Sequence, residues 1–209
     1  MIGFEISFLG VFHINDEDKK ISLKYREDFP IIEIYPLKDD TQFIYYGCEK
    51  RVMFGGIDES SLFLTELEHK ALKILKERGE RAFYDSLVPN IIKKWSEKTG
   101  AGFGRQGEWF FTPLELESRH DFLRLSLHIL RYHPKARNGL KKSDFSVFKY
   151  DKSLLNTNHR LKALPDGEKY QIIEFPWEMF IILGTLVAPN HTKIILKELH
   201  LLARSNYLK

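Results

Sequence analysis

The apolar pattern of this 209-residue chain first changes period near residue 60, and a single layer of strands or of helices cannot satisfy both patterns. Up to that point the apolar residues come in short runs separated by turn signals. Ile2 to Ile14 is apolar with partial alternation and ends at Asn15-Asp16-Glu17-Asp18. Ile21 to Tyr25 alternates as a half-buried strand does, and Pro30 opens Ile31-Ile32-Glu33-Ile34-Tyr35. Lys38-Asp39-Asp40 turns into Phe43-Ile44-Tyr45-Tyr46, and Arg51-Val52-Met53-Phe54 ends at Gly55-Gly56. Five short runs joined by tight turns predict an antiparallel meander.

Beyond residue 60 the spacing becomes helical. Ser60 or Ser61 supplies a capping oxygen, and Leu64, Leu67, Ala71, Leu72 and Leu75 mark one face up to Gly79, which stops or kinks the helix. A second helical stretch carries Ala82, Phe83, Leu87, Ile91, Ile92 and Trp95, with Ser86 as its cap before Pro89. Gly100, Gly102 and Gly104 mark a hinge, which divides the chain into residues 1–100 and 101–209, packed as two domains or as one. In the second part, 105–113 reads as a buried strand with a polar entry, His120 to Tyr132 as a helix, and Phe145 to Phe148 as a strand. His159 to Leu164 and Tyr170 to Phe175 read as a hairpin across Pro165-Asp166-Gly167, where Asp-Gly suits positive φ. Runs at 179–188, 192–196 and 199–205 complete a β-rich end. The fold class expected is α+β: N-terminal antiparallel strands, a central helical pair, and a C-terminal antiparallel β-barrel or curled sheet.

Composition narrows the setting. Hydrophobic residues make up 43% and aromatic residues 13%, enough for a packed core and too much for a disordered chain. Cys48 is the single cysteine, so no intrachain disulfide forms and a reducing, cytoplasmic compartment is expected. The apolar start lacks a basic region and a cleavage site, so it reads as a strand rather than a leader, and no apolar run reaches membrane-spanning length. The net charge of +3 is unevenly placed: residues 1–100 carry 15 Lys and Arg against 18 Asp and Glu, and the remainder 17 against 11. A C-terminal half with that excess suits a polyanionic partner, RNA or DNA.

Three short motifs stand in order in that half: Arg105-Gln106-Gly107-Glu108-Trp109-Phe110-Phe111-x-Pro113, Asn158-His159-Arg160, and Gly184-x-Leu186-Val187-x-Pro189-Asn190-His191 followed by His200 and Asn206. The series resembles an uncharacterised family of archaeal and bacterial proteins, many carried by viruses, proviruses and plasmids. Its members show R-Q-G-[DE]-W-F-F-x-P and a C-terminal P-[DN]-H, then a terminal W-H-x-V-x-x-N. Here Leu199 stands where an aromatic usually precedes the histidine. The resemblance implies a mobile-element context and carries no established activity.

The residues themselves offer one candidate site. His159, His191 and His200, with Arg160, lie at predicted strand ends, which gather at one rim in a small barrel. Two imidazoles dividing base and acid roles, with Arg160 or Lys193 on developing phosphate charge, would make a hydrolytic site that needs no cofactor. Three imidazoles with Glu108 would instead suit a divalent metal, although no H-x-H or H-E-x-x-H spacing is present. The plain structural reading has Asn158, His159, Asn190 and His191 tying turns through backbone hydrogen bonds. Arg105 is either an anion contact or the partner of Glu108. Gly102-x-Gly104-x-x-Gly107 spells a dinucleotide fingerprint but leads into a strand rather than a helix, which excludes it. The basic stretch from Arg131 to Lys142, with Arg137 and Lys141, suits phosphate contacts, and Tyr132 a stacked base. Trp109 and Trp177 read as core residues, and Cys48 as inert.

Two functions follow. One is a mobile-element accessory protein that binds nucleic acid or a nucleotide, with hydrolysis through the histidines. The other is a non-enzymatic interaction or structural protein of a virus or provirus, whose partner is a host or viral protein. Neither involves a membrane.

Overall fold

A computed structural model describes residues 2–6, 10–14, 21–25, 31–38, 41–47, 50–58, 61–114, 119–132, 146–148, 151–154, 159–163, 172–175, 178–188 and 191–207. The chain is α+β and mostly sheet, and it divides into two compact units, Met1–Leu87 with Tyr207–Lys209, and Val88–Asn206. No helix of the described residues is long and apolar enough to cross a membrane. Cys48, Trp177 and the basic positions Arg137, Lys141 and Lys142 lie outside the described residues.

The first unit holds two antiparallel sheets. β1 (Ile2–Ile6), β2 (Gly10–Ile14) and β3 (Ile21–Tyr25) form one, in sequence order. β4 (Ile31–Leu37), β5 (Gln42–Gly47), β6 (Val52–Asp58) and β7 (Ser61–Leu67) form the other, again in sequence order. The antiparallel strands expected from alternation are present, but in two sheets instead of one meander, with Ile2–Ile14 divided into β1 and β2, and two further differences appear in the second sheet. Gly55 and Gly56 lie inside β6 instead of ending it, and Ser61 begins a strand instead of capping a helix. Both have one cause. A Cβ on Gly55 would fall 2.8 Å from Phe43 Cζ and 2.9 Å from Leu64 Cδ1, so its bare backbone lets neighbouring side chains close over the sheet. Pairing of Leu64 with Gly55 then outweighs the helical spacing that Leu64 and Leu67 share with Ala71. α1 (His69–Leu87) starts only after β7 and is broken at Gly79, with φ 80° and ψ 178°, the interruption that glycine signalled. Past the break, the Phe83 ring meets Phe54 edge-on at 5.4 Å, and Tyr84 Oη donates to Gln42 Oε1 at 2.6 Å.

The second unit begins with α2 (Asn90–Thr99), which Pro89 precedes and Gly100 ends, the Gly100 N–H donating to Ser96 O. Ser86 does not cap it; its hydroxyl donates to Phe83 O within α1. Trp95 Nε1 of α2 donates to Pro113 O at 3.1 Å, so this helix packs on the C-terminal strands. The two units therefore divide at Leu87 and Val88, and not at the glycines that follow α2.

One eight-stranded antiparallel sheet, not closed into a barrel, fills the rest of the unit. Its strands are β8 (Gly104–Gln106), β9 (Trp109–Pro113), β10 (Ser146–Phe148), β11 (Asp151–Ser153), β12 (Arg160–Ala163), β13 (Ile172–Phe175), β14 (Met179–Val187) and β15 (Lys193–Arg204). β14 is the hub. Along one edge it pairs with β15 throughout; along the other, Met179 to Ile182 pair with β13 and Gly184 to Val187 with β12. β12 and β13 are thus successive partners of β14 and do not form the expected hairpin with each other. The runs expected at 192–196 and 199–205 are one strand, whose pairing with β14 slips between Ile182 and Gly184. At that slip the hairpin turns over. Gln106, which pairs with Trp109 beside Arg204, also bonds Thr192, just ahead of the opposite end of β15. A straight strand of that length would hold those ends about 40 Å apart. The core cluster accordingly draws Phe180, Ile182 and Leu202 from one side of the slip and Leu186 and Leu196 from the other.

α3 (Arg119–Tyr132) packs on α2 through His128, whose ring lies between Trp95 and Tyr132. Its Nε2 is 2.9 Å from Ile91 O, so that nitrogen carries the proton. Burial holds its pKa below the usual histidine value, opposed by the bond to Ile91. The unfolded chain therefore takes up a proton before the folded one. The stability owed to a neutral His128 is complete above the free-histidine pKa of about 6.5 and falls as the pH drops below it. Urea unfolding at pH 7.5 and 5.5 should show a loss on acidification that His128→Phe reduces.

Candidate functional site

Gly107 and Glu108 form the two-residue connection between β8 and β9. Gly107 has φ +56°, at the first central position of a tight hairpin, where glycine is favoured. The hairpin is fixed at several points. Trp109 is 1% exposed and packs edge-on to Phe180 at 5.7 Å, and the Ser205 N–H donates to Glu108 O at 2.7 Å. Gln106 is buried, and its Nε2 donates to Thr192 Oγ1 at 3.3 Å and to Thr192 O at 3.4 Å.

His159 comes down on this turn from the strand that follows it. Its carbonyl accepts from the Leu154 N–H at 2.9 Å, and its side chain is 4% exposed. Nδ1 is 3.7 Å from Glu108 Oε2, an electrostatic contact longer than a hydrogen bond. The ring edge also lies over Gly107: a Cβ there would stand 2.8 Å from His159 Cε1. Burial pushes the Glu108 carboxyl above the usual carboxylate pKa, although the charge of His159, its own backbone N–H, Arg204 and Arg105 all pull it down. Arg204 is committed elsewhere as well, Nη1 donating to Glu178 Oε1 at 2.8 Å.

The fold brings together His159, Glu108 and Gln106, with Arg105 acting on Glu108 through its charge. His191 and His200 each make a local backbone contact. His191 is exposed at φ +66°, its N–H donating to Ala188 O. His200 pairs with Pro113 at the end of β9 away from Glu108, about 16 Å along the strand, and its Nδ1 lies 2.8 Å from Glu198 O. Among the described residues no group of three or more His, Cys, Asp or Glu is placed to hold a metal ion. His191 stands just ahead of β15, and His200 lies within that strand opposite Ile182, beside the pairing slip.

Arg160 follows His159 and therefore points to the opposite face. The register defines what it joins there. Arg160, Val187 and Lys193 form one cross-strand row, and Lys162, Thr185 and Ile195 the next; Leu161, Leu186 and Ile194 lie between them on the core side. Lys197 follows in β15 where the pairing with β14 slips. Arg160, Lys162, Lys193 and Lys197 are all exposed, and Ile195 among them is 60% exposed. β11 adds Ser153 beside Arg160 and Asp151 beside Lys162, and Glu198 is exposed at the bend. Reading the sequence for a histidine cluster missed this face. Its signal is present in Arg160-Leu161-Lys162 and Lys193-Ile194-Ile195-Leu196-Lys197, cations at even spacing with apolar residues between. Arg131, from the basic stretch on the same half, is exposed on α3 and stacks over Tyr132.

No family model matches the chain, and neither the curated proteins nor the solved structures include one similar to it.

Two outcomes follow from the turn. Gly107→Ala should cost about 2 kcal/mol or more in denaturant unfolding, since it combines a left-handed backbone with a ring collision. For Glu108, a raised folded pKa means the folded state holds its proton more tightly than the unfolded one. That contribution favours the fold below the ordinary carboxylate pKa and is lost as the pH rises through the folded value. Glu108→Gln should therefore unfold at higher temperature than the parent at pH 7, with the advantage shrinking as the pH is lowered.

Proposed function

We propose that this protein is a nucleic-acid-binding accessory protein whose C-terminal unit holds a phosphate backbone on the outward face of β12, β14 and β15. The observation that carries this reading is the row geometry: Arg160, Lys162 and Lys193 exposed in adjacent cross-strand rows, with Lys197 exposed at the irregularity of β15, against Asp151 on the face and Glu198 at the bend. Cations at strand spacing are fixed in place by a packed sheet, so they neutralise phosphates without first being ordered. The net positive charge of the C-terminal half supports the same partner, as does the likeness of its motifs to proteins of viruses and plasmids. His159 enters as the inward neighbour of Arg160 that seats β12, not as a hydrolytic group. A cytoplasmic setting accords with this partner.

A second reading, docking of a host or viral protein, is favoured by Leu127, which is 65% exposed on α3. The two separate by charge. Lys162→Glu and Lys193→Glu should each weaken binding of a short labelled DNA or RNA about fivefold or more at low salt. The parent should lose affinity with a log–log salt slope between about −3 and −4 on duplex if all four cations meet phosphates. Anisotropy titrations unchanged by both reversals would overturn the nucleic-acid reading.

A further inference from the structure

Asp151 is the carboxylate that the cationic face carries within its own rows. It lies on β11 directly across from Lys162, and its Oδ2 accepts from Arg160 Nη2 at 2.6 Å along the diagonal. We infer that Asp151 is a resident competitor for Arg160: its carboxylate occupies the guanidinium until a phosphodiester displaces it, and it thereby sets which anions the face accepts. This rests on the nucleic-acid reading above and adds a specificity residue to it.

Exposure distinguishes this ion pair from the other ion pairs described in the sheet. Arg160 and Asp151 have side chains 53% and 47% exposed. The Arg204–Glu178 pair has its arginine 9% exposed, and Lys152 and Glu174, on the core side of the rows, are 21% and 24% exposed. Pairs as exposed as Arg160–Asp151 contribute little to stability, so exchanging the partner costs the fold little. Guanidinium and phosphate form stronger, two-pronged hydrogen bonds, so a phosphodiester has the advantage over a single carboxylate. Asp151 also faces Lys162, and one carboxylate therefore lowers the attraction of two of the four cations. A weak anion gains too little from Arg160 alone to displace it. A phosphate chain that meets Lys193 and Lys197 at the same time gains enough. Asp151 thus filters for polyanions with closely spaced phosphates against isolated anions and carboxylate polymers.

The experiment uses the full chain, a labelled mixed-sequence oligonucleotide and polyglutamate as the carboxylate polymer. Asp151→Asn should bind the oligonucleotide about two- to fivefold tighter at low salt. It should also narrow the preference for oligonucleotide over polyglutamate. In an Arg160→Ala background the gain should vanish, whereas Glu198→Gln, which removes a nearby exposed charge outside the pair, should give a smaller gain that survives Arg160→Ala. Asp151→Ser repeats the test with a different side chain, and thermal unfolding checks that each variant is folded. If Lys162→Glu and Lys193→Glu weaken binding but Asp151→Asn does not tighten it, or its gain persists without Arg160, the competitor role is overturned and the face stands. If neither lysine reversal matters, the nucleic-acid reading falls and this inference with it.

Discussion

Along one edge β14 pairs with β15 on both sides of a slip, and the other edge is shared out between β13 and β12. A strand with all its partners assigned cannot drift, and the slip between Ile182 and Gly184 fixes where the β14–β15 hairpin folds over. Everything else in the C-terminal unit is placed by that bend. It brings Thr192 back to Gln106 and lowers His159 onto the Gly107–Glu108 turn. It leaves one face of β12 inside the core and the other outside. The polar groups at the turn do not create this shape; they fit into the space it leaves.

The turn cluster shows what that fit costs. Glu108 sits among a histidine and two arginines, and its carboxyl is still harder to ionise than one in water, because lost hydration outweighs the attraction of these neighbours. A group so placed is a poor source of stability at neutral pH. What it supplies is position: its carbonyl holds the end of β15 through Ser205, and its side chain faces the ring that seats β12.

How far the sequence revealed this depended on the range of the interaction. Alternation within a segment was readable, so the N-terminal antiparallel strands and Trp109 in the core emerged directly, as did α3 from its spacing. Helical spacing across Leu64 and Leu67 misled, because the deciding fact was the room over Gly55 on another strand. Pro165-Asp166-Gly167 lies outside the described residues, and the strands on either side, β12 and β13, pair with successive stretches of β14 instead of with each other. Of the polar candidates, the contact of His159 with Glu108 joins residues more than fifty positions apart, and nothing local announces it. The cationic rows were visible in principle, because period two is a local property, but their meaning required knowing that β12 and β15 flank the same strand.

The adjacency of His159 and Arg160 has a consequence for how such a surface can change over generations. Consecutive residues of one strand serve separate masters, the interior at odd numbers and the solvent at even ones along β12. The solvent-facing letters can be rewritten for a new partner while the interior letters, and therefore the architecture, stay untouched. A lineage facing frequently changing targets could alter its recognition by point substitution, without repacking the scaffold that presents it.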